Sequence, residues 1–439
     1  RILELVVRTP RFKGYKYSNN PDMKAHATVT RQSATEGMVL LKNEKQALPL
    51  SPKDKNIALF GAVSYNFFSG GTGSGDINRP YVVSLLDGLK NQQIVVDDNI
   101  KAIYQAYNRP QEQGEQMRIN EMPMDTAIIK YAAKNNDMAI ITFGRISGEY
   151  IDRVSSDFFL SDTERELVKN VTRIFHEANK KVVVVLNVGG VIETQSWKEM
   201  PDAILLSWQA GQEGGNSVAD ILTGNANPSG KLPMTFPVTL SDHWSSLNFP
   251  IDQKIDRRWS VKTGLTHETK NVDYTIYDEG IYVGYRWFDT RNLQVSYPFG
   301  YGLSYTTFEY GKPSVKQDNG KVIVEVTVKN TGKVAGKEAV QLYVEAPAGK
   351  LDKPVHELKA FGKTKMLQPG ESQVITLAVH TDDLASFDEQ TSAWVTDGGR
   401  YKFVVAASSR DPRGDVMVDV SPSTRKVNNV LNLPAAFKK

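Results

Sequence analysis

The chain has 439 residues, a net charge of +3, six histidines and no cysteine. That length holds two or three domains with sizeable cores, and the missing cysteine excludes disulfides, thiolate metal sites and a cysteine nucleophile. The small charge, without a dense basic block, argues against nucleic acid as the main partner, and no apolar run approaches the ~18 residues of a membrane-spanning helix.

The chain starts at Arg1 rather than Met, and Ile2 to Val7 read as the end of an amphipathic helix. The expectation is a chain that forms the second part of a longer protein, or one product of a cut. Residues 9–22 carry the Pro, Gly and Asn of a connector. Lys24 to Lys42 pattern as a helix, with Ala27, Ala34, Met38 and Leu41 on one face. An alternation of strands and helices follows. Ile57 to Gly61 form a short buried strand, residues 70–76 a glycine-rich loop, Val82 to Leu89 a helix and Ile94 to Val96 a strand. Thr126 to Ala133 form a helix, and Met138 to Phe143 an apolar strand that breaks at Gly144. Ser161 and Glu164 have the spacing of a capping box, opening a helix with Leu167, Val171, Ile174 and Ala178 on one face. Lys181 to Asn187 and Ala203 to Trp208 are further buried strands, and a helix runs from Gly214 to Leu222. Repeated βα units with all-apolar strands predict a doubly wound, mostly parallel α/β sandwich over 24–237. Residues 1–23 precede it, and 238–303 form a connector without clear periodicity.

Beyond Tyr305 the period changes to two. Val322 to Val328, Ala339 to Val344, Val374 to Val379 and Tyr401 to Ala406 alternate between turns such as Asn330-Thr331-Gly332 and Gln368-Pro369-Gly370-Glu371. This predicts an all-β sandwich over 304–420, followed by a polar tail, 421–439. It carries no clustered carboxylates and no recognisable exposed-aromatic motif, so a structural role is expected.

Chemistry in an open α/β sheet sits past the carboxyl ends of the strands. Glu149, in the charged loop after the 138–143 strand, is therefore the leading catalytic carboxyl, although a loop glutamate is more often simply solvated. Asp152 and Arg153 read equally as a local ion pair. Glu213 is a rival, but its place at a helix start is explained by the helix dipole. Trp208 and Gln209 suit a core or a pocket rim, and His176 lies on a helix as a surface or core residue. The loop Gly70-Gly71-Thr72-Gly73-Ser74-Gly75-Asp76 has the strand–helix setting of a phosphate site, yet fits neither the P-loop nor G-x-G-x-x-G. A tight turn, or a backbone and Ser74 hydroxyl approaching another polar ligand such as a sugar, are the other readings. The histidines have no H-E-x-x-H spacing, and no serine sits in a G-x-S-x-G elbow.

Several stretches together resemble glycoside hydrolase family 3. They are Glu36 to Glu44 with Leu48-Pro49-Leu50, Gly71 to Asp76, Trp208 to Glu213, Asn227 to Pro233, Tyr282 to Arg286 and Pro298 to Tyr305. Asn330-Thr331-Gly332, Gly336-Lys337-Glu338 and Gln341 to Val344 resemble the family's fibronectin type III-like module. The resemblance covers nearly the whole chain, in the family's order, and looks closest to the three-domain β-glucosidases. It implies a retaining, exo-acting enzyme that removes terminal β-D-glucosyl residues, with an aspartate nucleophile on a preceding TIM-like barrel. It implies a general acid/base in a loop of the S-G-E-x-x-D-R type, which Ser147 to Arg153 match with Glu149 as the carboxyl. The family commonly has Gly where Tyr150 stands. It further implies that Ser74, flanked by Thr72 and Gly73, meets the sugar.

No cofactor or metal is implied. The expected partners are a β-glucoside oligosaccharide and a barrel domain or barrel chain, with no nucleic acid and no membrane, and with a homo-oligomer left open. The expected location is periplasmic or secreted, with cytoplasmic as the alternative. The competing reading is a non-catalytic module that binds carbohydrate or scaffolds a partner.

Overall fold

A computed structural model describes residues 1–108, 119–146, 149, 153, 155–247, 252–253, 268–269 and 277–428. Two short stretches of secondary structure precede the sheet: helix α1 (Ile2–Arg8) and helix α2 (Met23–Gly37). The N-terminal part then builds one six-stranded sheet from β1 (Val39–Asn43), β2 (Asn56–Phe60), β3 (Val95–Val96), β4 (Met138–Arg145), β5 (Val182–Val188) and β6 (Ala203–Leu206). Their order is β1-β6-β5-β4-β2-β3, parallel throughout except for β1, which pairs antiparallel with β6. The helices between are α3 (Leu85–Asn91), α4 (Asp98–Asn108), α5 (Thr126–Asn135), α6 (Ser155–Phe158), α7 (Asp162–Glu177) and α8 (Gly214–Thr223).

The apolar strands serve two cores at once. Alternate side chains of a strand point to opposite faces. Phe60, Ile141, Phe143, Val184, Leu186 and Leu206 meet α4, α5 and α7 on one face. Leu59, Ile140, Val183, Val185 and Leu205 meet α3 and α8 on the other. Every residue of β4 and β5 is buried, which is why these strands read as unbroken apolar runs.

Two expectations need correction here. The helix predicted through Lys42 ends at Gly37, and Val39 to Asn43 are a strand: Val39 and Leu40, then Lys42 and Asn43, pair with β6, with a register shift at Leu41. The strand predicted to break at Gly144 runs on to Arg145. Gly144 lies in the strand because a Cβ there would stand 2.8 Å from the Phe68 ring and 2.9 Å from Val63, which cross over it. Helix α4 was not anticipated; its buried face, Ile100 and Tyr104, is too sparse to announce itself.

Between β2 and β4 the winding reverses. The chain leaves β2 toward β3 on one side, then returns as β4 on the other. Loops leaving the carboxyl ends of these two strands therefore diverge and leave a crevice. At the carboxyl end of β4, Arg145 is fully buried. It makes a bidentate pair with Glu164, both bonds 2.7 Å, and donates to the carbonyls of Gly144, Asp157 and Phe159. Glu164 also completes the predicted capping box with Ser161 at the start of α7.

The C-terminal part is a β-sandwich. One sheet contains Phe308–Tyr310, Ser314–Asp318, Lys321–Asn330 and Ser372–His380; the other contains Ala339–Glu345, Glu357–Lys363, Gly399–Ser408 and Asp411–Val420. Val322, Val324, Val326 and Val328 face Val340, Leu342, Phe403 and Val405 between the sheets, with the period of two read from the sequence. The strand Ala339–Glu345 is buried on both faces, because Tyr343, with Val404 and Ala406, packs outward on Tyr285 and Phe299. Gln341 donates to the Gly300 carbonyl at 3.0 Å and to the Ala407 carbonyl at 2.8 Å. Glu36 of α2 reaches Lys337 at 2.6 Å and Lys363 at 3.3 Å. The two parts are thus joined by an apolar, hydrogen-bonded and ionic seam. One feature escaped the strand pattern: Phe387 and Trp394 are cross-strand neighbours, partly exposed, with ring centroids 5.2 Å apart.

Glu164→Ala leaves the Arg145 guanidinium buried without its counter-charge. Removing one partner of a buried ion pair costs about 3–5 kcal/mol. Denaturant unfolding of the chain with and without the substitution checks this; a loss well under about 1 kcal/mol, the scale of an exposed pair, contradicts it.

Candidate active site

The crevice at the switch point brings together two of the loops singled out in the sequence. After β2 the chain turns at Gly61 and runs to Phe68, where it is pinned by Asn187 of β5. Asn187 is fully buried, accepts from the Phe68 N–H at 2.7 Å, and donates to the Phe68 and Trp208 carbonyls at 2.9 and 2.7 Å. The glycine-rich loop leaves from this anchor and tightens into a 3₁₀ turn over Gly73–Gly75.

That turn meets Glu149. The Ser74 N–H donates to Glu149 Oε2 and the Ser74 hydroxyl to Oε1, both at 2.8 Å. The Thr72 hydroxyl donates to the Glu149 carbonyl at 2.9 Å. Gly73 has φ +67° and lies so close that a Cβ would collide with the Glu149 side chain. Glycine is required there for both reasons. Thr72, Gly73, Ser74 and Glu149, remote in sequence, thus form one constellation. The Glu149 side chain is exposed, and its carboxyl is held below the ordinary glutamate range, first by the Ser74 N–H and then by the Ser74 hydroxyl. A raised affinity for the proton, expected of an acid catalyst, is therefore not what this setting gives Glu149: the carboxyl is exposed, and the groups that meet it among the described residues favour its charged form.

The rival carboxylates are committed elsewhere. Glu213 is buried and accepts from the Tyr81 hydroxyl at 2.5 Å and the Asn216 amide at 2.7 Å, fastening the start of α8. Asp76 pairs with Arg79 at 2.5 Å. His176 meets buried Asp202 at 2.8 Å at the amino ends of β5 and β6, the end of the sheet opposite the crevice. Trp208, at the end of β6, donates its indole N–H to the Gly37 carbonyl. Asp152 and Tyr150 lie outside the described residues. A carboxyl the sequence did not single out, Glu121, is buried and pushed up to about 7 by desolvation. Its partners are the Ala62 and Met122 N–H groups and the Tyr104 hydroxyl, so it braces the turn after β2 from inside the core. Among the described residues, no group of three or more His, Asp or Glu side chains could hold a metal ion, and no helix is long and apolar enough to cross a membrane.

Residues 38–285 match the glycosyl hydrolase family 3 C-terminal domain, and residues 338–409 match a fibronectin type III-like domain. β-Glucosidase A of Butyrivibrio fibrisolvens is 38% identical over 88% of this chain and 50% of its own length. A β-glucosidase of Bacteroides ovatus is 34% identical over 95% of this chain and 54% of its own. Among solved structures, β-glucosidase 3B of Thermotoga neapolitana in complex with glucose has 44% identity and a TM-score of 0.85, over 97% of this chain and 58% of that one. The chain thus spans about half the length of the curated relatives it matches. The doubly wound sheet with its switch-point crevice, the β-sandwich behind it and the match over both show that the chain belongs to glycoside hydrolase family 3, as the family's C-terminal domain followed by a fibronectin type III-like domain.

Proposed function

We propose that this chain is the acid/base-bearing half of a retaining β-glucosidase that releases terminal β-D-glucosyl residues, with Glu149 as general acid/base. One observation carries the reading: an exposed carboxyl stands at the switch point, with both oxygens met by the glycine-rich loop. Retaining hydrolysis uses two carboxyls about 5–5.5 Å apart, one nucleophilic and one that gives and then takes a proton. The second is assigned to a barrel domain or barrel chain that completes the enzyme, as the greater length of the relatives supports.

Ser74 then has two duties. It holds Glu149 as a carboxylate while the crevice is open. When a sugar enters, its hydroxyl turns to the sugar, and Glu149 loses a donor. Exclusion of water and a nearby nucleophilic carboxylate both favour the protonated form. Glu149 is thereby readied to protonate the departing oxygen. After the leaving group departs, the same carboxylate takes a proton from the attacking water. Thr72 and Gly73 contribute by holding the loop against Glu149 closely enough for this exchange.

Three outcomes test the reading. In Glu149→Ala, joined with its barrel, dinitrophenyl β-glucoside still forms the glycosyl-enzyme and azide restores its turnover. Hydrolysis of a β-linked disaccharide falls by about 10²–10⁴-fold, the usual scale of positioned acid catalysis. Equal loss on both substrates without azide rescue contradicts the assignment.

In Ser74→Ala the carboxylate loses a hydrogen bond that favours its charged form, so its pKa moves upward toward the ordinary range. Carboxyl-carbon NMR titration of Glu149 in the chain reads this directly; an unchanged or lower value contradicts it.

The chain alone does not turn over nitrophenyl β-glucoside, and activity appears on co-expression with, or fusion to, the barrel. Turnover by the purified chain that is abolished by Asp76→Asn or Asp152→Asn would locate the second carboxyl here and overturn the two-part reading.

A further inference from the structure

Glu149 stands four residues after Arg145 and four before Arg153. These two arginines converge on a single atom. Arg145 Nε and Arg153 Nη2 both donate to the Asp157 carbonyl oxygen, at 3.1 and 2.7 Å. Arg153 Nη1 reaches the Val191 carbonyl, in the loop after β5, at 2.9 Å. That loop in turn clasps α6, through Glu193 N–H to the Phe158 carbonyl at 2.6 Å. The two ends of the loop that carries Glu149 are therefore tied to one point, and that point is tied to the strand next door.

We propose that Arg153 is a positioning residue for Glu149: by closing the loop onto α6 and the β5 loop, it sets where the carboxyl stands. The proposal rests on the acid/base reading of Glu149 given above.

Arg145 and Arg153 differ in a telling way. Arg145 has the Glu164 carboxylate to balance its charge. Arg153 binds carbonyls, and its buried Nε has no partner. Burial, and then the neighbouring Arg145, lower its pKa to about 10, opposed in part by the Asp157 carboxylate. Burying most of a cation whose hydrogen bonds go to carbonyls is unfavourable for stability. Its contribution lies instead in the geometry of a planar fork that joins two carbonyls from different loops. From the opposite side, among the described residues, Glu149 is met by the thin turn of Thr72 to Gly75. Losing the Arg153 fork releases the other side, and a misplacement of about 1 Å can cost a reacting group as much as 10²-fold in rate.

The test uses the enzyme assembled with its barrel and the variant Arg153→Met, which keeps the volume and removes the fork. With the acid displaced, kcat/KM for a β-linked disaccharide falls by roughly 10- to 100-fold, while that for dinitrophenyl β-glucoside changes by less than about three-fold. The melting midpoint is unchanged or higher, since a largely buried cation bonded to carbonyls gives way to an apolar side chain. Arg153→Lys, which keeps a charge and one carbonyl contact, recovers part of the disaccharide activity and serves as the readout if the methionine variant does not fold. A fall of equal size on both substrates, or no fall on either, overturns the positioning role. Glu149→Ala is measured alongside. Leaving-group selectivity there but in neither Arg153 variant overturns this proposal alone; its absence in Glu149→Ala overturns the acid/base assignment and this proposal with it.

Discussion

The Arg145–Glu164 pair sits in the core of the α/β domain with both side chains almost wholly removed from water. Two charges can be there only if nearly every lone pair and proton finds a partner. Arg145 has five N–H groups, and the acceptors around it are three carbonyls and both oxygens of Glu164. That completeness couples distant pieces of chain. The guanidinium belongs to the last residue of β4, Glu164 to the first turn of α7, and two of the three carbonyls, those of Asp157 and Phe159, to the segment between. The loop that carries Glu149 springs from this knot. Its starting point, Arg145, is thus fixed by the core.

Much of the fold was legible because a parallel sheet covered on both faces leaves a strong mark. The all-apolar runs at β4, β5 and β6, the Ser161–Glu164 capping box and the period-two strands after Tyr305 each correspond to an observed element. Where the reading failed, tertiary packing overrode local pattern. Met38, Leu40 and Leu41 suit a helix face as well as a strand, and only the edge of the sheet decides between them. Gly144 looked like a breaker because glycine usually is one; the side chains that cross it are those of Val63 and Phe68 and cannot be seen in its neighbourhood. In the β-sandwich, Gln341 and Tyr343 interrupt a simple inside–outside reading because both faces of their strand are buried, one in the sandwich and one in the seam.

The candidate site was legible in its parts and not in its joining. Glu149 was reached from the rule that chemistry follows the carboxyl ends of strands, and Ser74 from a glycine-rich loop between strand and helix. That the two touch could not be read from residues 75 positions apart in the chain. Asn187 was read only as the end of a strand, although it is the amide that fixes the base of the glycine loop. A signal existed: a lone amide at the end of an all-apolar, doubly buried strand must find hydrogen-bond partners there, and a loop backbone is the nearest supply. Arg145 offered the same signal. It is a charge that ends a strand whose every residue is buried, and such a charge requires a carboxylate close by. Glu164 was identified for its capping role, and its second use went unseen because one side chain was assumed to have one task.

The electrostatics of the open crevice bear on how one carboxyl can serve as both acid and base. Such a group needs surroundings that change between the two steps, because an environment that favours the proton throughout would give a good acid and a poor base. Among the described residues, the donors to the Glu149 carboxyl are the N–H and hydroxyl of Ser74, and they favour the charged form. Under the proposed function the opposing influences, exclusion of water and a second carboxylate, arrive with a sugar and a nucleophile in place, and the proton on Glu149 is governed by occupancy of the crevice. Binding pushes it on, departure of the leaving group draws it off, and the Ser74 contact restores the carboxylate. This requires the loop backbone to stay still while the hydrogen bonds change hands. A rigid mount built from buried arginines and a soft contact built from a serine are the two components such an arrangement needs.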